Sequence, residues 1–257
     1  MQVVEFPDGY AIQGDCASQE VFDFVESLCI QFACVNTDPP YGNIVDEYWD
    51  KTDKTDTAFA GWLKERLEVW NHFLVTQGAL YVWGGVGKPG FRPFFRLLLE
   101  LESDDLQLAN LLTWGKKRAY GVQNNYLWTR EELAYFVKGN AKKPRVFNIP
   151  LLEDKRGYAG FNAKYPAKSE YLRRTNVWSD IPELFSGKVH PTEKPARVVE
   201  IPIEVSTNPG DWVADPFAGS GTVALACRKL GRKFVVIEQD PEHFATILRR
   251  LHENSVI

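Results

Sequence analysis

The sequence has few of the residues that build metal sites, disulfides or membrane spans. Its 257 residues include only four cysteines, four histidines and one methionine. No two cysteines form a C-x-x-C pair and no histidine lies at zinc-ligand spacing from one, so we expect reduced, mostly buried thiols and no metal. No apolar run approaches the roughly 20 residues of a membrane helix, and the N-terminus lacks a signal-peptide layout. These absences predict a cytoplasmic protein without membrane contact.

What the sequence does contain is an alternation of short apolar strands and longer helical stretches. We predict strands at 10–13, 32–37, 79–83, 108–114, 133–137, 212–215 and 233–238, and helices at 21–30 (N-cap Ser18), 57–76 (closed by Gln77 and Gly78), 91–101, 195–205, 222–230 and 241–253. Such alternation predicts an α/β fold with a largely parallel, doubly wound sheet. Residues 116–129 are predicted to separate two strands, and 139–188 to form a mostly irregular lobe.

Charge is distributed unevenly along the chain. The net charge of −4 argues against a nucleic-acid partner. Residues 114–189, however, hold 15 Lys and Arg against 7 Asp and Glu, a net of +8, which leaves −12 for the rest of the chain. A basic segment inside an acidic chain is typical of a surface that meets phosphates, although a solvated charged face is the alternative.

A glycine-containing loop, Asp215-Pro216-Phe217-Ala218-Gly219-Ser220-Gly221-Thr222, connects a predicted strand to a predicted helix. Its glycines would let a ligand approach the backbone, and the helix N-terminus offers free N–H groups to it. The next strand ends in Glu238, where a carboxylate could accept hydrogen bonds from ribose hydroxyls. A tight turn beside a capping acid is the alternative.

A second loop, Asp38-Pro39-Pro40-Tyr41, follows the strand at 32–37. Its prolines fix φ and remove two N–H donors, which makes the loop stiff and rich in acceptors. Asp38 and the Pro39 carbonyl could each accept one N–H of an amine on a planar heterocycle, while Tyr41 stacks on the ring. The alternative is a rigid Pro-Pro turn.

Together with His190-Pro191-Thr192-Glu193-Lys194-Pro195, these two loops resemble the amino-DNA methyltransferases of the β group, N6-adenine and N4-cytosine enzymes with an Asp-Pro-Pro-Tyr catalytic loop. The resemblance covers roughly residues 10–251. It implies a Rossmann-like class I S-adenosylmethionine-dependent fold with one antiparallel strand and a circularly permuted motif order. It also implies a catalytic domain formed by 1–138 and 190–257, with 139–189 as an inserted target-recognition segment. That segment is short for this task, so a second subunit or an accessory segment would complete it.

The resemblance assigns roles to individual residues. Asp38, Pro39, Pro40 and Tyr41 are implied to be catalytic. S-adenosylmethionine is implied to contact Asp15, Cys16, Asp38, Lys194, Asp215, Pro216, Phe217, Ala218, Gly219, Ser220, Gly221, Thr222, Glu238 and Gln239. Candidates for phosphate contacts, chosen from the basic segment, are Lys116, Lys117, Arg118, Lys142, Lys143, Arg145, Arg173 and Arg174. The implied partner is double-stranded DNA in a prokaryote or phage; a homodimer and a companion restriction nuclease remain open.

The expected reaction is transfer of a methyl group to the N6 amine of adenine in DNA, from a base flipped out of the duplex. Adenine is favoured because relatives that act on cytosine N4 usually carry Ser at the position of Asp38. An RNA or protein methyltransferase on the same fold stays open, as does an inactive DNA-binding subunit. A nicotinamide oxidoreductase is disfavoured, because the glycine loop is not G-x-G-x-x-G.

Overall fold

The computed structural model describes residues 1–42, 54–85, 91–120, 123–124, 126–155, 169–183 and 194–254. The strands are β1 (Gln2–Phe6), β2 (Gly9–Gln13), β3 (Phe32–Thr37), β4 (Leu74–Gly85), β5 (Leu106–Tyr120), β6 (Trp128–Lys138), β7 (Leu151–Lys155), β8 (Tyr171–Arg173), β9 (Val177–Trp178), β10 (Trp212–Asp215) and β11 (Lys233–Glu238). The helices are α1 (Gln19–Ser27), α2 (Asp56–His72), α3 (Phe91–Leu101), α4 (Ala196–Ser206), α5 (Thr222–Leu230) and α6 (Pro241–Glu253).

Among the described residues, nine strands form one sheet in the order β1-β2-β11-β10-β3-β4-β6-β5-β9, and β7 pairs with β8 separately. Neighbours from β2 through β4 are parallel, whereas β6 is antiparallel to both β4 and β5 and β1 is antiparallel to β2. The late strands β10 and β11 lie between the early strands β2 and β3. The predicted mostly parallel sheet with an antiparallel strand and permuted order is therefore confirmed.

The helices cover both faces of this sheet. Side chains alternate along each strand, so that Val213 packs with the residues of α4, α5 and α6, and its neighbour Ala214 packs with those of α1, α2 and α3. Strands buried on both faces read as continuous apolar runs, as in β3, where all six residues are buried. The sheet is thus held rigidly between two layers, and the loops at its edges are held in place by their strands.

Local sequence explains why several helices begin where they were predicted. The Ser18 hydroxyl accepts a hydrogen bond from the Val21 N–H at 3.3 Å at the start of α1. Asp240 accepts from the N–H groups of Glu242 and His243, each at 2.8 Å, and Pro241 takes the first position of α6. These side chains supply the acceptors that the first N–H groups of a helix otherwise lack.

The prediction for the end of α2 was wrong. The helix ends at His72, and Gln77 and Gly78 lie inside β4 rather than closing the helix. The apolar spacing continues past His72 because Leu74 is buried, but it is buried as a strand residue paired with Phe32 of β3. Sheet pairing therefore overrides the helical period here, and Gln77 takes a positive φ of 65° beside a register shift in that pairing.

One further prediction needs correction. Residues 116–129 do not simply separate two strands, because β5 continues to Tyr120, which pairs with Trp128 of β6. The described part of 139–188 is mostly irregular, as predicted, but it also contains the short strands β7, β8 and β9. Trp178 of β9 is buried in the core and pairs with Trp114 of β5, so part of the predicted insertion belongs to the main sheet. The limits of the recognition segment stay a prediction.

The cysteine prediction is confirmed: Cys16, Cys34 and Cys227 are buried, Cys29 is exposed, and all four are free thiols. Among the described residues, no helix has the length and apolar character needed to cross a membrane.

Candidate active site

The ends of four parallel strands meet at one edge of the sheet. Gly14 to Cys16 follow β2, Asp38 to Tyr41 follow β3, Pro216 to Gly221 follow β10, and Glu238 ends β11. Parallel strands end at the same edge, which is where open α/β sheets bind ligands. Because β6 runs the other way, its early residue Glu131 reaches this edge as well. A cavity of about 550 Å³ lies there.

Most predicted cofactor residues line this cavity. They are Asp15, Cys16, Asp38, Lys194, Asp215, Pro216, Phe217, Ala218, Gly219, Ser220, Thr222, Glu238 and Gln239. Gly221 does not line it; it precedes α5 with a φ of 79°, a conformation that favours glycine. Residues 190–193 of the predicted His-Pro-Thr-Glu segment lie outside the described residues. Contact of these residues with a cofactor stays a prediction.

Glu238 ties the glycine loop to the start of α6. Its carboxylate accepts from the Gly219 N–H at 2.7 Å and from the Asp240 N–H at 2.8 Å. Burial raises the pKa of this carboxyl, although the backbone N–H groups oppose the shift. An ionised carboxylate can accept about four hydrogen bonds, so Glu238 retains capacity for hydroxyl donors of a ligand in the cavity.

The opposite part of the cavity wall holds acceptors that suit a cation. The Asn36 amide is 1% exposed and donates to the Val199 carbonyl at 3.1 Å, but its Oδ1 has no hydrogen-bond partner among the described residues. Beside it, Asp215 accepts from the Thr37 hydroxyl at 2.7 Å. Burial raises the pKa of Asp215 to about 7, and the charges of Asp38 and Glu238 add to that rise. A buried acceptor without a partner is costly, so Asn36 points to a donor that a ligand supplies.

An aromatic and cationic wall from α2 was not predicted to belong to the site. The Arg66 guanidinium lies 4.0 Å from the centre of the Trp62 ring and contacts Asp15 at 3.3 Å. Trp62 is 6.4 Å from Phe217, ring centre to ring centre. The i, i+4 spacing of Trp62 and Arg66 on one helix face was the available signal. It was hidden because the same helix carries the apolar stripe that packs on the sheet.

The Asp38-Pro39-Pro40-Tyr41 loop contacts a cluster of charged side chains. The Tyr41 hydroxyl donates to Asp38 Oδ1 at 2.6 Å, and the Lys194 ammonium donates to Asp38 Oδ2. The Lys194 ammonium also lies 3.2 Å from Oε2 of Glu131, and Oε1 of Glu131 accepts from Lys116. Burial together with the charges of Asp38 and Glu131 raises the pKa of the Tyr41 hydroxyl. Lys194 lies just before α4. Its side chain is buried, and its ammonium contacts both acids.

The structure does not place every predicted catalytic residue on the cavity. Asp38 and Pro40 line it, whereas Pro39 and Tyr41 do not. Stacking of Tyr41 on a base therefore stays a prediction. Trp83, which lines the cavity and lies 4.8 Å from the Lys194 ammonium, was not predicted, nor was Glu131.

The side chains predicted to bind phosphates differ in their surroundings. Three of them already face acids: Lys116 contacts Glu131, Arg145 contacts Asp211, and Arg174 contacts both oxygens of Asp180 at 2.8 Å. The exposed ones are Lys117, Arg118, Lys142, Lys143, Arg145 and Arg173. Their contact with DNA stays a prediction.

Comparison with known proteins agrees with this geometry. The model of the N6/N4 DNA methylase family matches residues 32–249. The type II methyltransferase M2.LlaDCHI of Lactococcus lactis subsp. cremoris is 30% identical over 184 residues, covering 71% of this chain and 63% of that protein. M2.DpnII of Streptococcus pneumoniae is 26% identical, covering 79% and 70%, and M.BamHI of Bacillus amyloliquefaciens is 30% identical, covering 90% and 54%. The chain thus spans between about half and 70% of the length of these relatives.

Solved structures show the same fold. The crystal structure of the M1.HpyAVI–SAM complex is 25% identical with a TM-score of 0.61, covering 93% of this chain and 98% of that one. PvuII DNA methyltransferase (cytosine-N4-specific) is 19% identical with a TM-score of 0.69, covering 97% and 88%. These likenesses confirm the fold of S-adenosylmethionine-dependent methyltransferases. The family model covers most of the chain, and the chain belongs to the N6/N4 DNA methylase family.

Proposed function

We propose that this chain transfers the methyl group of S-adenosylmethionine to the N6 amine of adenine in duplex DNA. The observation that carries the proposal is one cavity that joins the glycine loop, Glu238 and the unpartnered Asn36 oxygen to the carboxylate of Asp38. Cofactor residues and an amine acceptor thus share a single space. Family membership supports both the reaction class and the cofactor.

The cofactor would lie along the cavity with its three parts on different residues. Glu238 would accept from the ribose hydroxyls, and Phe217 with Trp62 would flank the adenine near Asp15. Asn36 and Asp215 would receive the ammonium of the methionine portion. When bound, S-adenosylmethionine supplies an activated methyl sulfonium, so the protein needs no covalent intermediate.

The chain's own contribution is to position the target amine and stabilise the charge that it develops. An exocyclic amine is a poor nucleophile because its lone pair is delocalised into the ring. Asp38 and the Pro39 carbonyl, accepting its two N–H bonds, would localise that lone pair and stabilise positive charge on the nitrogen. Alignment of the amine with the methyl carbon adds to the rate. The departing proton would pass to Asp38 or to water.

A base inside a duplex is out of reach of Asp38, so it must leave the stack at a cost of a few kcal/mol. Tyr41 would offset part of that cost by stacking on the extruded base. The exposed basic residues of 139–189, with Lys117 and Arg118, would hold the phosphates nearby. Adenine is proposed over cytosine because Asp38, and not Ser, begins the loop.

Product analysis tests this proposal directly. Unmethylated genomic DNA is incubated with the protein and labelled S-adenosylmethionine, digested to nucleosides and separated by mass spectrometry. We expect N6-methyladenine; N4-methylcytosine would overturn the choice of base, and label in RNA or protein alone would overturn the substrate class. Sequencing that detects methylated bases would then give the recognition sequence.

The variant Asp38→Ala tests the role of the loop. We expect methyl transfer to be lost, while the Kd for S-adenosylmethionine changes by less than about tenfold, or ~1.4 kcal/mol, in calorimetry. We expect this difference because Asp38 would accept from the amine, whereas Glu238, Asn36 and Asp215 would bind the cofactor. An equal loss of both would make Asp38 a cofactor ligand instead.

A further inference from the structure

Glu131 is a second carboxylate beside the catalytic loop, and the proposed function leaves it unused. It lies at the start of β6, opposite Trp114 of β5 and Gly85 of β4. Its Oε2 is 3.2 Å from the Lys194 ammonium and 3.4 Å from the Tyr41 hydroxyl, and its Oε1 accepts from Lys116. Glu131 therefore contacts the same two donors that hold Asp38.

Both oxygens of Asp38 already have donors in this structure. Tyr41 donates to Oδ1 at 2.6 Å and Lys194 donates to Oδ2. A target amine needs Asp38 as an acceptor, and its nitrogen becomes positively charged during transfer. Asp38 can accept further hydrogen bonds, but an ammonium held on it repels the charge that develops on the amine nitrogen. Movement of Lys194 to another acceptor nearby would therefore favour the reaction.

Glu131 has the properties that such an acceptor requires. Burial alone would raise the pKa of Glu131, yet the ammonium groups of Lys194 and Lys116 lower it to about 2. The side chain therefore stays ionised. Lys116 fixes one of its oxygens, which leaves the other directed at Lys194 and Tyr41. Lys194 also lies over the Trp83 ring at 4.8 Å, a contact that it can keep while its hydrogen bonds change.

We propose that Glu131 is a positioning residue that takes over Lys194 and Tyr41 from Asp38 when the target amine enters. This proposal rests on the proposed function and explains how Asp38 becomes available to the target amine. Lys194 has three N–H donors, so it moves between two carboxylates that it already contacts. The two negative charges of Asp38 and Glu131 are balanced by the positive charges of Lys116 and Lys194 before and after this movement. Asp38 then meets the amine as an unshared carboxylate.

The test compares Glu131→Gln with wild type on unmethylated genomic DNA. With an amide in place of the carboxylate, Lys194 stays on Asp38, and we expect kcat to fall at least about tenfold. The Kd for S-adenosylmethionine, measured by calorimetry, should change by less than about threefold. Glu131→Asp should recover part of kcat, because a shorter carboxylate still attracts Lys194. A normal kcat in Glu131→Gln would overturn the proposal.

Two controls separate positioning from structural damage. Glu200 on α4 is another enclosed acid, whose ion pairs are with Arg197 and with Lys229 at 2.6 Å and not with the Asp38 loop, so Glu200→Gln should retain kcat. The second control is a double-mutant cycle with Lys194→Met: once Lys194 is gone, Glu131→Gln should cost much less activity than it does in wild type. Equal costs in both backgrounds would contradict the proposal. An inactive wild type would instead refute the proposed function, independently of Glu131.

Discussion

At the residue scale, the cavity is defined by acceptors that the protein itself does not fully use. Within the described part of the chain, the buried oxygen of Asn36 has no partner, and the carboxylate of Glu238 has capacity beyond its two backbone donors. A folded protein tolerates such groups when a ligand completes them. These two residues stand at different parts of the cavity wall, so each can be tested against a different part of the cofactor.

Replacing Asn36 by Leu should weaken binding of S-adenosylmethionine by about 10- to 100-fold, since a hydrogen bond to a charged group contributes ~1.5–3 kcal/mol. The compound 5′-methylthioadenosine lacks the amino-acid portion, so its affinity should change by less than about threefold. Calorimetry with both ligands makes the comparison. Equal losses would mean that Asn36 supports the shape of the cavity through its bond to Val199 and does not bind the ammonium.

Asp215 should make stability depend on pH. Burial raises its pKa from 3.8 to about 7, so the folded protein favours the neutral acid. Its contribution to the free energy of unfolding is fully present below about pH 4 and is lost as the pH rises to about 7. Asp215→Asn keeps an acceptor for Thr37 but does not titrate. In urea denaturation we expect the stability of wild type to fall relative to this variant across that range; parallel curves would contradict the assignment.

The sequence located residues of the site that lie within single loops. Asp38 to Tyr41 and the residues around Gly219 each follow one strand, and local chemistry marks them. Glu131 could not be found in this way, because it reaches Asp38 only through the antiparallel direction of β6. Asn36 was hidden for a related reason: a polar residue inside a buried strand becomes informative only when its neighbours across the sheet are known.

At the scale of helices and strands, boundaries that local sequence defines were predictable, whereas boundaries that depend on pairing with distant residues were not. The strands β10 and β11 and the helices α5 and α6 have the predicted bounds, because turns and caps in their own sequence define them. The predicted end of α2 was wrong because Leu74 pairs with Phe32, about 40 residues earlier in the chain. Short strands such as β9 have too few residues to show a period and form by pairing with β5.

The turn between β10 and α5 gives a prediction at this scale. Gly219 has a φ of 53°, and apart from its chain neighbours no described residue has an atom within 4 Å of where its Cβ would be, on a stretch that lines the cavity. Gly219→Val should place its side chain in the ligand's space and weaken binding of S-adenosylmethionine at least about tenfold, measured by calorimetry. The strain of a positive φ should also lower stability by ~1–2 kcal/mol.

Gly139, after β6, provides a matched control. It has a φ of 85° and equally open surroundings, and it does not line the cavity. Gly139→Val should lose similar stability in urea denaturation and retain cofactor affinity. If both variants bound S-adenosylmethionine like wild type, the assignment of the glycine loop would fail.

At the scale of the whole molecule, charge is divided along the sequence between a basic segment, residues 114–189, and an acidic remainder. The net charge of −4 would repel DNA, yet residues 114–189 carry +8. Binding should therefore be strongly salt-dependent and oriented, with the basic segment turned towards the duplex. The acidic remainder of the chain should repel DNA, so that an orientation with residues 114–189 facing the duplex is favoured.

Lys143→Ala tests this separation. Lys143 is exposed in the basic segment, and its removal should weaken DNA binding across sequences. It should also reduce the slope of log K against log salt by about 0.9, because one phosphate fewer is neutralised in the complex. Lys64→Ala, on α2 beside Glu68, is the control that should leave the slope unchanged. Fluorescence anisotropy with duplex DNA at several salt concentrations gives both slopes, and equal slopes would contradict the assignment.

The position of β10 and β11 between β2 and β3 has a consequence for how the protein is made on the ribosome. The strands β10 and β11 are translated long after β2 and β3, which have no strand to bridge them until residue 238 has left the exit tunnel. The apolar edges of β2 and β3 therefore stay unpaired, together with the Asp38 loop, until then. Folding from such long-range pairings is slow. A nascent chain consequently gains its glycine loop and its central strands together, so the cavity at this edge and the completed sheet form in one late event.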